Sequence, residues 1–111
     1  MEPKEVKQTL IKARSLIEKP ENWLQGSFSC DAEGNHCFAT EENAVCFCSL
    51  GAVERAINET IVDYGCGADV YAAARELLQV KMGTSAIKFN DSHTHQEVLA
   101  KFDEAIKYLE Q

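Results

Sequence analysis

The chain has 111 residues, 45% of them hydrophobic, and its 18 acidic against 11 basic side chains give a net charge of -7. That length and apolar content suit one domain spanning residues 1–111, with one real core. The charge excludes a phosphate-tracking nucleic-acid binder, which needs clustered Lys and Arg. It also disfavours an anionic membrane surface, and suits a basic protein partner instead.

The five cysteines, Cys30, Cys37, Cys46, Cys48 and Cys66, cannot all pair within one chain. Residues Met1–Glu5 carry no apolar leader, and no apolar run approaches the ~20 residues of a membrane span. The expected setting is therefore the reducing cytoplasm, with the thiols free.

The first expected helix runs from about Pro3 to Lys19. Val6, Leu10, Ala13 and Ile17 share one face, and Pro20 stops the helix. An irregular stretch with Trp23 and Gly26 leads into a small hairpin, Ser27–Cys30 against His36–Ala39, turning through Asp31–Asn35. That turn lacks the length and ligand order of a calcium loop. Thr40 is the expected cap of a second helix, with Glu41 and Glu42 in its first turn and an apolar stripe of Cys46, Leu50, Val53, Ile57 and Ile61. Ala44, Cys48 and Gly51 then share a small-residue face that lets another element approach closely. On this reading Gly51→Leu overpacks the contact and Gly51→Ala is mild.

Tyr64–Gly67 is a break. A third helix spans about Ala68 to Met82, with Val70, Ala74, Leu77 and Leu78 inward, and Gly83 closes it. Ile87 and Phe89 alternate in a short extended piece, Ser85–Phe89. A polar turn, Asn90–His93, follows. Thr94 and Glu97 form the capping box of a last helix reaching about Glu110, with Val98, Phe102, Ala105 or Ile106, and Leu109 inward. The architecture is mainly α: a compact bundle of about four helices, with a small β-hairpin or irregular insertion between helices 1 and 2.

Three pieces carry a resemblance: Trp23-x-x-Gly26; Cys48-x-x-Gly51-Ala52; and Phe89-Asn90-Asp91 followed by Thr94-x-x-Glu97-Val98-Leu99. Together they resemble a family of small bacterial and bacteriophage proteins known only as a domain of unknown function. The resemblance covers nearly the whole chain. It implies the fold, allows a phage origin and names no reaction.

The chemistry-bearing residues give few constellations. Four ligands must converge for structural zinc. Cys46 and Cys48, two apart on a helix, point roughly 200° apart, and no Cys-x-x-Cys exists, so neither a metal site nor a cofactor is expected. Cys66, between two glycines, and Cys48 are the candidate reactive thiols, with His36, His93 and His95 as possible bases. No nucleophile signature surrounds either thiol, and no catalytic residue is assigned. Trp23, Asn90, Asp91, His93 and His95 form a candidate interaction or polar cluster. Asn and Asp also make turns by themselves, a Trp after a helix also closes a core, and neither His has a local role in this reading.

The favoured function is a small acidic non-enzymatic interaction protein, of the bacteriophage accessory or counter-defence kind, that binds and blocks a host protein. The alternative is a small Cys/His-dependent enzyme or metal-binding protein. A third reading is an oligomeric structural subunit.

Overall fold

The structure is a computed structural model that describes residues 3–60 and 67–110. Within it lie α1 (Pro3–Leu16), β1 (Ser29–Asp31), β2 (Ala44–Phe47), α2 (Ser49–Thr60), α3 (Gly67–Met82), α4 (Ala86–Ser92) and α5 (His95–Leu109), with a 3-10 turn at Pro20–Asn22. The fold is mainly α, with five helices among the described residues rather than about four.

The amphipathic stripe of α1 dictates its central place. Val6, Leu10 and Ala13 are buried along it, and Ile17 continues the line just past the helix end. These side chains meet α2, α3 and α5, which contribute Val53 and Ala56, Val70, Ala74 and Leu78, and Val98, Phe102 and Ala105 to the same core. Gly83 terminates α3 at φ +75°, the left-handed region where a Cβ is penalised, and its amide returns to Gln79 O at 2.9 Å.

The capping box of α5 is present as expected. Thr94 Oγ1 accepts from the Glu97 amide at 3.2 Å, and the Glu97 carboxylate accepts from the Thr94 amide at 2.9 Å. Those contacts, the backbone amide first, hold the Glu97 carboxyl below its ordinary value. Its half of the box is therefore present above the usual carboxylate range and is lost as pH falls through that lowered value. Thr94→Ala should cost about 1 kcal/mol in urea denaturation at pH 7.

Two expectations fail, both between helices. The hairpin partner of β1 is β2, with Ser29 opposite Phe47 and Cys30 opposite Cys46. His36–Ala39 forms no strand; it meets β1 through an isolated Cys30–His36 bridge and through Ser29, whose Oγ donates to Cys37 O. Residues 41–47 are thus not helical, Thr40 caps nothing, and Cys46 belongs to a strand. Helix α2 opens at Ser49, so Gly51 sits in its first turn and shares no helical face with Ala44. The Asp31–Asn35 turn does form: the Asp31 carboxylate accepts from the Glu33 and Asn35 amides, both at 2.9 Å. The second failure is Ser85–Phe89. It is helical, with Ser85 Oγ capping α4 by accepting from the Lys88 amide. The Ile61 end of the predicted stripe and the Tyr64–Cys66 break lie outside the described residues.

Candidate functional site

Residues 23–28, the start of α2 and the end of α4 meet at one corner of the bundle. Asn90 is its centre and is 0% exposed. Its Oδ1 accepts from Trp23 Nε1 at 2.8 Å and from the Ser49 amide at 3.0 Å. Its Nδ2 donates to Leu24 O at 2.9 Å. One side-chain amide thus joins three segments and satisfies the first amide of α2 as a cap supplied from another helix. Asp91 accepts from the Gly26 amide at 2.9 Å, and Gln25 Nε2 donates to Asn90 O and His93 O at 3.0 and 3.1 Å.

The backbone approach beneath this corner is equally tight. Phe28 O accepts from the Cys48 amide at 3.1 Å, and a Cβ added to Gly51 would lie 2.0 Å from that oxygen. Close approach at Gly51 is therefore real, but Gly51→Ala cannot be mild, because the obstructing atom is backbone.

The expected site residues other than Cys66 lie among the described residues. Trp23, Asn90 and Asp91 come together, and the polar atoms named above are engaged inside the fold. Asp91 holds Gly26. The histidines do have local roles. The His93 ring stacks on Phe89 with centroids 3.7 Å apart, its Nδ1 lying 3.0 Å from Phe89 O. His95 Nε2 lies 2.6 Å from Ile17 O, and its ring packs against Trp23. The cluster reads as a latch between α4 and the segment after α1.

Cys48 sits at the cap position of α2, where its Sγ accepts from the Gly51 amide at 3.3 Å. It lines a pocket of about 100 Å³ with Gly26, Ser27, Phe28, Ile87 and Asp91. Burial pushes this thiol up from its ordinary value and the Asp91 charge adds to that, against hydrogen bonds from the Gly51 and Leu50 amides. A nucleophilic cysteine needs the opposite shift. Cys66 lies outside the described residues. Cys46 stands on β2 and not on a helix with Cys48, so helical spacing does not hold the two thiols apart. Among the described residues no three His, Cys, Asp or Glu converge as a ligand set. Nor, among them, is any helix long and apolar enough to cross a membrane.

A second surface has no local motif to mark it. From Pro20 to Glu54 the chain has no Lys or Arg and six acids: Glu21, Asp31, Glu33, Glu41, Glu42 and Glu54. This stretch therefore carries -6 of the net -7. Its outer part, residues 31–45, forms an arm that projects from the sheet, irregular between the strand ends at Asp31 and Ala44. Phe38 stands near the middle of the arm, 75% exposed. The backbone on either side of it is fixed. Cys37 O accepts from Ser29 Oγ, Ala39 is buried, and Arg55 donates to Ala39 O and Glu41 O. The signal was available as the long gap in basic residues between Lys19 and Arg55.

A family model described as a family of unknown function (DUF6197) matches residues 1–108. The chain belongs to this family. No curated protein and no solved structure matches it. For this DUF6197 member, geometry alone must separate scaffold from working surface, and it sets the Asn90 latch apart from the Phe38 arm.

Proposed function

We propose that the protein is a non-enzymatic interaction protein that works in the cytoplasm and binds a basic protein through the arm at residues 31–45. A bacteriophage accessory or counter-defence role, in which the bound protein is a host factor blocked by occupancy, fits this reading. The observation that carries it is Phe38, an exposed aromatic ring on a fixed backbone within a stretch that has acids and no bases. An exposed aromatic ring is the kind of side chain that anchors an interface. Holding the backbone in advance lowers the ordering cost of binding. Surrounding carboxylates steer a basic surface toward it and reject acidic ones. The partner's face should therefore present Lys and Arg around an apolar socket.

The test uses affinity capture from host lysate with the wild-type chain, Phe38→Ala, and a Glu33/Glu41/Glu42→Lys triple variant. A partner recovered by the wild type should be basic at its cross-linked face and weaken steeply with salt. Phe38→Ala should lower its affinity by about tenfold or more, while stability stays within about 0.5 kcal/mol. Equal capture by all three chains would reject the proposal.

A further inference from the structure

Cys30 and Cys46 stand directly opposite one another on β1 and β2. Directly opposed residues of an antiparallel pair have Cα atoms about 4.5–5.5 Å apart and side chains on the same face. That spacing lies within the range a disulfide spans, about 4.4–6.8 Å. Both cysteines are free in this structure. Cys30 is buried, Cys46 is partly exposed, and the Cys46 thiol donates to Glu21 O at 3.3 Å. Residues 31–45, the whole acidic arm, lie between them.

We infer that Cys30 and Cys46 form a reversible disulfide that staples the neck of the arm. The oxidant is a small disulfide such as oxidised glutathione. The Cys46 thiolate attacks one of its sulfurs and forms a mixed disulfide, and the first small thiolate leaves and takes up a proton. The Cys30 thiolate then attacks Cys46 Sγ, and the second small thiol leaves in the same way. The protein loses two protons and two electrons, and the small disulfide gains them as two thiols. The exposed member of the pair meets the oxidant, and the buried member resolves it.

The pair is built to stay reduced until challenged. Burial, and next the facing Cys46 thiol, push the Cys30 thiol up to about 11. Closure after Cys46 has been capped should therefore quicken as pH rises, as the thiolate fraction of Cys30 grows.

Closure can be read by peptide mapping of the full chain. Wild type, Cys46→Ser and Cys37→Ser are incubated with oxidised glutathione at pH 8, alkylated and digested without reduction. Trypsin cannot separate these cysteines, because no Lys or Arg lies between Lys19 and Arg55. Cleavage after glutamate at Glu33 and Glu42 places Cys30, Cys37 and Cys46 on different peptides. Fragmentation then distinguishes Cys46 from Cys48.

The expected product links Cys30 to Cys46 and lowers the alkylatable thiols from the five of the sequence to three. It persists in Cys37→Ser and vanishes in Cys46→Ser. The oxidised wild type should melt about 10 °C higher, since the link closes a loop that is open in the unfolded chain. A Cys30–Cys37 link, or five alkylatable thiols after exhaustive oxidation, would overturn the inference. The disulfide stands apart from the binding role of the arm: mapping can fail while Phe38→Ala still abolishes capture, and the reverse.

Discussion

Gly51→Ala should destabilise the protein by about 3 kcal/mol or more, beyond the usual ~1–3 kcal/mol of core overpacking. The reason is the identity of the obstructing atom. A methyl group at position 51 would lie 2.0 Å from Phe28 O and 3.0 Å from Phe28 C. A flexible side chain could turn aside, but this carbonyl cannot move alone, because it accepts from the Cys48 amide at the start of α2. Relief requires either losing that hydrogen bond or sliding α2 away from residues 26–28. Alanine otherwise favours a helix over glycine by about 1 kcal/mol, so a destabilised alanine variant isolates the steric term. Urea denaturation of the two chains measures it. An alanine variant as stable as wild type, or more so, would remove the close approach on which the geometry of this corner depends.

Asn90→Leu should be comparably severe, costing about 3–5 kcal/mol. Leucine is close to asparagine in size, so the loss is polar rather than steric. It strands the Trp23 Nε1–H, the Ser49 amide and Leu24 O, all of which Asn90 satisfies. Each buried group left unpaired costs roughly 1–3 kcal/mol, and neighbouring losses are not fully additive. Trp23→Phe provides the internal scale: it removes one of these bonds, keeps a ring, and should cost less than half as much. If Asn90→Leu kept its stability and lost a binding activity instead, the corner would be a recognition site and not a latch.

These two residues also show what was legible in the sequence. Elements set by local rules came through: the apolar face of α1, the span of α3 with its closing Gly83, the Asp31–Asn35 turn, and the Thr94–Glu97 box. Long-range pairing decides the rest. Cys46, Leu50, Val53 and Ile57 keep helical spacing, so β2 was absorbed into α2. Only the antiparallel match with Ser29–Asp31 makes Ala44–Phe47 a strand.

Helix α4 was hidden for a different reason. Ile87 and Phe89 alternate like a strand, whereas the buried set is Ala86, Phe89 and Asn90. That is a helical i, i+3, i+4 pattern with a polar residue in its last place. Trp23 and Asn90 were both singled out, but nothing local links residues 67 positions apart. The Phe38 arm went unnoticed because each of its residues is ordinary alone. Its meaning lies in the run without Lys or Arg from Pro20 to Glu54 and in the hydrogen bonds on both flanks of one ring.

An apolar groove between α1, α3 and α5 offers a competing surface, with Val80 68% and Tyr108 53% exposed on its rim. The most direct test of the account therefore compares backbone hydrogen exchange of the free chain with that of the chain bound to its captured partner. Protection should appear in residues 32–43, centred on Phe38, and leave Val80 and Tyr108 unchanged. Protection along the α3–α5 groove, with the arm exchanging as in the free chain, would contradict it.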